Sequence, residues 1–384
     1  MEVSKSLGVS RTKHIPADIG YDILRRLPAI SLLRFRSVCK NWLNIIDNPS
    51  FAIVNRSTRT VAEDPQILAT TRLTTVKTVH TLTYDGYVIK ETDQNPTLQL
   101  DDDCYIDHAA YGFIIFRTLD GRLLLCNPLR REVLALPPLQ QSNVSKVFKL
   151  ECGTGFDSTT NTYKIVCMMK NLFLPETTLG VYTLSTHSWR ILSSPPTSSG
   201  CLELTGEKVS AYGDMHWMAR CCTTKSMMIG SFDFRKEKFK KTAAPNFGCH
   251  YHMINLKESL AVIKFSANNE QIEIWVMNDY ERGRWVREKI VSTRLWVREP
   301  TVDDICIGAC DDGLIFLKRD SLQVFVHNLK TNRIRYMDHP VIAGGPKKSW
   351  SELMFNCTGN VLSFRNFNNI SPSLPLNTIS IFLS

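Results

Sequence analysis

From residue 112 onward the chain keeps returning to one pattern, and that pattern limits its fold more than any other feature. An apolar run is followed by a gap, then by a second run ending on a small polar or turn pair. An aromatic or aliphatic residue comes six or seven positions later. One unit occupies residues 112–116, 123–128 and 132–138. Four later units follow at 179–184 with 188–190, 229–234 with 238–239, 272–277 with 284–286, and 322–328 with 333–334. The runs are strand-length and lie between turn signals such as Asp85-Gly86, Asp120-Gly121, Tyr212-Gly213-Asp214 and Asp312-Gly313. A single unit of this size cannot bury its own apolar face, so the units must stack on one another.

Adjacent units stand about 45 to 60 residues apart, the spacing of kelch-like propeller blades, each a small antiparallel sheet. Residues 73–100 are expected to add a blade, and Val361-Leu362-Ser363-Phe364 a closing strand, for about six blades in all. A β-sandwich is the alternative for an all-β chain with regular turns. The whole is mainly β behind a small all-α start: a helical domain at 14–54, a linker at 55–72 and the β domain at 73–384.

With 384 residues, 43% of them hydrophobic, the chain can build a large core. No run approaches the length of a membrane helix, and Met1 to Lys13 is polar and basic without the apolar centre of a signal peptide. The expectation is an intracellular protein of the nucleus or cytoplasm, with no membrane partner. Its 12 cysteines are scattered through apolar runs (Cys104, Cys126, Cys167, Cys306, Cys310), which reads as reduced, mostly buried thiols. The formal charge of +9 is spread along the sequence, and no zinc finger, RNA-recognition motif or basic helix accompanies it. Nucleic acid is therefore not an expected partner.

The start is helical. Ile19, Ile23, Leu24 and Leu27 recur at three-to-four-residue spacing until Pro28 ends the run. Pro16 suits a first turn, and Asp18 favours the positive end of the helix dipole. Ser31 is placed to cap a second run holding Leu32, Leu33, Phe35, Val38, Cys39, Trp42, Ile45 and Ile46, which Asp47-Asn48-Pro49 stops. Helices this short carry more apolar surface than they can bury alone, so part of it awaits another protein.

The run from Ile15-Pro16-Ala17-Asp18-Ile19 through Leu24, Leu27-Pro28, Leu32-Leu33 and Val38-Cys39-Lys40-Asn41-Trp42 to Pro49-Ser50-Phe51 resembles an F-box, with Ile15 in place of the usual opening Leu. The resemblance implies binding to an Skp-type adaptor and, through it, a cullin. It places Ile15, Pro16, Ile19, Leu24, Leu27, Pro28, Leu32 and Leu33 at or near that interface, with Val38, Cys39 and Trp42 serving either the interface or internal packing. Behind it, residues 127–132 with 136–137, 153–157 with 161–166, 181–182 with 188–190, 213–219 and 231–234 resemble the F-box-associated domain of plant F-box proteins. Together the two resemblances imply the substrate-recognition adaptor of an SCF (Skp-cullin-F-box) ubiquitin ligase, recruiting an unnamed target. A scaffold acting outside a ligase is the alternative.

No reactive constellation points to an enzyme, a cofactor or a metal. The sequence has no Gly-x-Ser-x-Gly, P-loop or His-Glu-x-x-His. Gly153-Thr154-Gly155 lacks a third glycine and is expected to be a strand turn. Cys249-His250-Tyr251-His252 has only Cys221-Cys222 as a second cluster, and adjacent cysteines chelate one zinc ion poorly. Asp101-Asp102-Asp103 reads as a solvated loop. Trp189, Trp217, Trp275 and Trp285 read as blade core rather than a binding surface.

Overall fold

The computed structural model describes residues 16–58 and, with breaks at 74–75, 85–88, 92–97, 102–103, 140–147, 172–176, 193–201, 222, 249, 267–270, 293–304, 311–312, 319–323, 338–349, 356–359 and 365–381, residues 66–383. Helices come first: α1 (Ala17–Leu24), α2 (Ala29–Phe35), α3 (Lys40–Asp47) and α4 (Pro49–Thr58). Everything described after them is strand and turn.

Five four-stranded antiparallel sheets follow one another along the chain. Blade 1 is β5 (Cys104–Ala110), β6 (Phe113–Thr118), β7 (Leu123–Asn127) and β8 (Glu132–Ala135). Blade 2 is β9 (Phe148–Asp157), β10 (Thr162–Asn171), β11 (Thr177–Thr183) and β12 (Ser188–Leu192). Blade 3 is β13 (Leu202–Ala211), β14 (Asp214–Cys221), β15 (Met227–Asp233) and β16 (Lys238–Ala243). Blade 4 is β17 (Tyr251–Leu256), β18 (Ser259–Phe265), β19 (Gln271–Asp279) and β20 (Arg284–Ser292). Blade 5 is β21 (Ile305–Cys310), β22 (Gly313–Lys318), β23 (Val324–Asn328) and β24 (Arg333–Met337). The closing sheet is ordered β25-β1-β2-β4-β26, from β1 (Gln66–Leu73), β2 (Val76–Tyr84), β4 (Leu98–Asp101), β25 (Trp350–Phe355) and β26 (Phe382–Leu383), with β3 (Ile89–Glu91) paired to β2. The first strands lie side by side: β5 by β9, β9 by β13, β13 by β17, β17 by β21 and β21 by β25. A β-propeller results.

One expectation changes. The strand that closes the circle is β25, antiparallel to β1 from Ile67↔Phe355 to Thr71↔Trp350. Val361 to Phe364 form no strand and are instead held against blade 1, as described below. Strand β1 begins at Gln66, and α4 runs to Thr58.

The repeat has a local cause. In four blades the third strand ends on Asn127, Asp233, Asp279 or Asn328, whose side chain accepts the backbone N–H of Arg130, of Arg235 and Lys236, of Arg282, or of Lys330 and Thr331. Four residues past that Asn or Asp the chain takes positive φ, at Arg131, Glu237, Gly283 and Asn332; His187 does the same after Thr183 in blade 2. Two residues further, Trp189 donates its indole N–H to Pro137 O (2.7 Å) and Trp285 to Ala243 O (3.2 Å), each tying an outer strand to the preceding blade. Trp217 is fully buried between blades 2 and 3 with Val166, Met215 and Phe232. Gly153 and Gly155 sit within β9, not in a turn. A side chain at Gly155 would run into the Phe234 ring and Gly213 O, so glycine permits the close approach of blade 3.

Charges also staple the inner strands. Lys208 Nζ lies 2.9 Å from Asp107 Oδ2, 3.3 Å from Glu151 Oε2 and 3.0 Å from Cys152 O, joining blades 1, 2 and 3. Burial would push this ammonium down, but the two carboxylates hold its pKa above the ordinary lysine value. On the next strand, β14, His216 Nε2 donates to Ala211 O (3.1 Å), which leaves Nδ1 to accept from the Ser231 hydroxyl (2.8 Å). Burial lowers the ring to about 4, so it stays neutral. Beside it Asp214 accepts the Phe234 N–H and the Tyr280 hydroxyl, and burial pushes its carboxyl up to about 6.

Two outcomes are expected. Replacing Lys208 with Met strands two carboxylates and lowers stability by about 3–5 kcal/mol in urea unfolding. Native Asp214 holds a proton between about pH 4 and 6 that the unfolded chain releases, so its contribution falls as pH rises through that window. Relative to the wild type, Asp214→Asn should therefore gain roughly 2–3 kcal/mol between pH 4 and 7 in denaturation series.

Candidate functional site

The helices are fixed by caps that use few side chains. Pro16 and Pro28 are the N-caps of α1 and α2, so Ser31 lies inside α2 and does not cap it. The fixed φ of proline starts both helices where no side-chain acceptor is available. Cys39 caps α3, its sulfur accepting the Trp42 N–H at 3.5 Å. Pro49 ends that helix and opens α4. From α4, the fully buried Asn55 donates both amide hydrogens, to Arg25 O and Leu27 O at 2.9 Å each, satisfying carbonyls past the end of α1.

The expected adaptor residues divide into two groups. Leu24 and Leu32 are completely buried, in one cluster with Ile46 and Phe51 of the helices and with Tyr111, Phe113, Leu134, Tyr163 and Tyr182 of blades 1 and 2. Leu27, Leu33 and Trp42 are partly buried against the same cluster, and Pro28 is half-buried. Pro16, Ile19, Val38 and Cys39 are exposed. Ile15 lies outside the described residues. Ile23, read from the sequence only as part of the helical stripe, stands exposed one turn from Ile19.

The helices do not simply hang from the propeller. Asp47, at the end of α3, takes Arg36 in a two-pronged pair (2.7 Å to each oxygen) and Arg130 from the β7–β8 turn (2.9 Å). Burial would raise the Asp47 carboxyl, but the two guanidiniums hold it below its ordinary value. Arg130 is itself nearly buried, and its Nε lies 3.7 Å from Glu132, which accepts the Ser363 hydroxyl (2.8 Å) and the Phe364 N–H (2.6 Å). Asn127 donates to Asn360 O and Leu362 O, and Phe364 stacks on Phe113. Val361, Leu362 and Phe364 belong to the same apolar cluster as Leu24 and Leu32.

Residues 13–54 match the F-box domain, and residues 66–362 match the F-box associated beta propeller domain. The chain belongs to this family. Among relatives from Arabidopsis thaliana, it is similar to F-box protein At2g21930 (26% identical, spanning 91% of this chain and 92% of the relative). It is also similar to F-box/kelch-repeat protein At3g23880 (23% identical, spanning 86% and 92%). A solved structure titled a nidogen/laminin complex has a chain similar at 11% identity, with 78% of this chain and 100% of that one covered and a TM-score of 0.46. An F-box joined to this propeller, in a chain similar to F-box proteins of Arabidopsis thaliana, supports a substrate-receptor role.

Residues 127–132 join the propeller to the helices and to residues 360–364. Asn127 anchors residues 360–362, Arg130 reaches the F-box, and Glu132 holds residues 363–364. Of the metal-ligand candidates, Cys249 and Cys222 lie outside the described residues, while His252 faces Glu207 at 3.3 Å. Among the described residues, no three His, Cys, Asp or Glu side chains converge as a metal site. Cys39, Cys104, Cys126, Cys152, Cys167 and Cys221 take part in no disulfide, and four of them are buried; the side chains of Cys306 and Cys310 are not described. Asp102 and Asp103 also lie outside the described residues, and Asp101 ends β4.

The helix–propeller contact can be tested at two positions. Arg130→Met leaves Glu132 with a buried charge and frees Asp47 from the propeller, so urea unfolding should show a loss of about 3 kcal/mol, against less than about 0.5 for the exposed neighbour Arg131→Met. Asn55→Ala strands two carbonyls and should cost about 1–3 kcal/mol by the same measurement.

Proposed function

We propose that the chain is the target-recruiting subunit of an SCF-type ubiquitin ligase, working inside the cell, in the nucleus or cytoplasm, without a chemical step of its own. The observation that carries this is the exposed apolar face of the helices: Ile19 is 49% exposed, Ile23 48% and Val38 60%. Ile19 and Ile23 form an i,i+4 pair on α1, and the caps and the buried side of the F-box leave them turned from the core. Covering such side chains is worth about 1.5–3 kcal/mol each, enough for a few of them to anchor a partner.

The partner in this reading is an Skp-type adaptor, with the cullin beyond it, and Pro16, Ile19, Ile23, Val38 and Cys39 form the contact. Leu24 and Leu32 act from beneath, by holding the face in shape. The propeller holds the target, and transfer is accelerated by proximity to the charged ubiquitin carrier.

Co-purification of the full chain with an Skp-type adaptor is the test. Ile19→Asp with Val38→Asp should weaken binding by at least about tenfold while leaving thermal unfolding unchanged, since both side chains already face solvent. Wild-type protein that does not bind, or a double variant that binds equally well, would refute the assignment. In cells, the recruited protein should accumulate when the double variant replaces the wild type.

A further inference from the structure

The chain's positive charge is spread in sequence but gathered in the fold. Blades 3, 4 and 5 end in outer hairpins at 233–243, 279–292 and 328–337, and these expose Arg235, Lys236, Lys238, Lys241, Arg282, Arg284, Arg287, Lys330, Arg333 and Arg335. The same three segments hold five carboxylates, the exposed Glu281 and Glu288 and the more buried Asp233, Glu237 and Asp279; Asp233 lies near Arg235 and Lys236, and Asp279 near Arg282, so the cations remain in excess. The segments form one continuous band. Trp285 reaches Ala243 O, Lys240 donates to Tyr280 O and Glu281 O (2.7 Å each), and Lys289 contacts Leu329 O.

The plain explanation is edge protection, since charged side chains on an outer strand deter pairing with another chain. It does not account for this band. Protection works with either sign, whereas the cations here outnumber carboxylates across three consecutive blades. Val286, Ile290 and Tyr336 are exposed among them, which invites association instead of deterring it. The outer strands of the other two blades differ: β8 carries one charge, the buried Glu132, and β12 carries one, Arg190.

Location matters as well. The F-box packs on blades 1 and 2, so a partner on the outer strands of blades 3 to 5 leaves the helical docking face open.

We propose that this band binds an acidic, extended segment of a partner protein. Glu and Asp side chains would meet the Arg and Lys rows, while interspersed apolar residues would cover Val286, Ile290 and Tyr336. A protein segment fits better than nucleic acid because a phosphate backbone offers nothing to cover those three side chains. That the partner is a target for ubiquitin transfer rests on the receptor reading above; the binding itself does not.

The test uses the full chain and a labelled peptide rich in Glu and Asp with interspersed Leu and Tyr. Its Gln/Asn counterpart and a DNA duplex serve as the other probes, with anisotropy read at near-physiological salt. The acidic peptide should bind, its neutral counterpart should bind at least tenfold more weakly, and added salt should weaken binding further. Lys238→Glu with Arg284→Glu and Arg333→Glu, one exposed cation from each hairpin, should weaken peptide binding at least tenfold with thermal unfolding unchanged. If that variant unfolds, the corresponding Gln triple should still show a weakening. Undiminished peptide binding by a folded variant, equal binding of the neutral peptide, or tighter binding of duplex DNA overturns the proposal. Adaptor binding measured on the same samples separates the two readings: peptide binding with no adaptor binding leaves the band and removes the ligase, and the converse does the opposite.

Discussion

The nearly buried run of charges from Asp47 through Arg130 to Glu132 sets how the two halves of the molecule sit together. Each member has a partner on another element, so none can leave without exposing a desolvated charge. Arg130 is suited to this place because its planar guanidinium offers several donors in fixed directions, which lysine does not. Around the charges lies a single apolar cluster shared by the F-box, blades 1 and 2 and residues 361–364. The directional ion pairs fix the angle of contact, and the apolar cluster supplies the burial. Together they hold the F-box at one fixed position on the propeller.

Much of this was legible in the sequence, and what was missed has physical reasons. The helical start was visible from apolar spacing and prolines. That spacing identifies which positions are apolar but not which neighbour covers them. Leu24 and Ile23 are adjacent in sequence, yet one is buried under blade residues and the other faces solvent. Ser31 looked like a cap because its type favours that role, but the fixed φ of Pro28 had already started the helix three residues earlier. Asn55 directly follows the apolar run Phe51-Ala52-Ile53-Val54, and the carbonyls it satisfies lie about 30 residues away, at Arg25 and Leu27, beyond the reach of any local pattern.

In the propeller, local features were readable and distant ones were not. The Asx turn with its positive-φ residue is encoded within five residues, so the five blades showed themselves as a repeat. The closing pair joins Ile67 to Phe355, and no short pattern announces a pairing across most of the chain. Val361 to Phe364 look like strand because they are apolar, but their backbone is held by the side chains of Asn127, Glu132 and Asn360 instead of a neighbouring strand. The basic band escaped for the same reason: its three segments become neighbours only when blades stack.

The pairing of β25 with β1 also orders events in time. Strand β1 emerges from the ribosome early and β25 late, so the closing sheet lacks its inner strand until nearly the whole chain has been made. Its formation closes a loop across most of the chain, and contacts of that separation form slowly. Residues 361–364, which are held against blade 1 and belong to the same apolar cluster as the F-box leucines, arrive later still. Until then blades 1 and 2 and the four helices share a core with one wall missing. The chain therefore completes its ring and the apolar cluster beneath its F-box almost together, and an unfinished chain lacks the last members of that cluster.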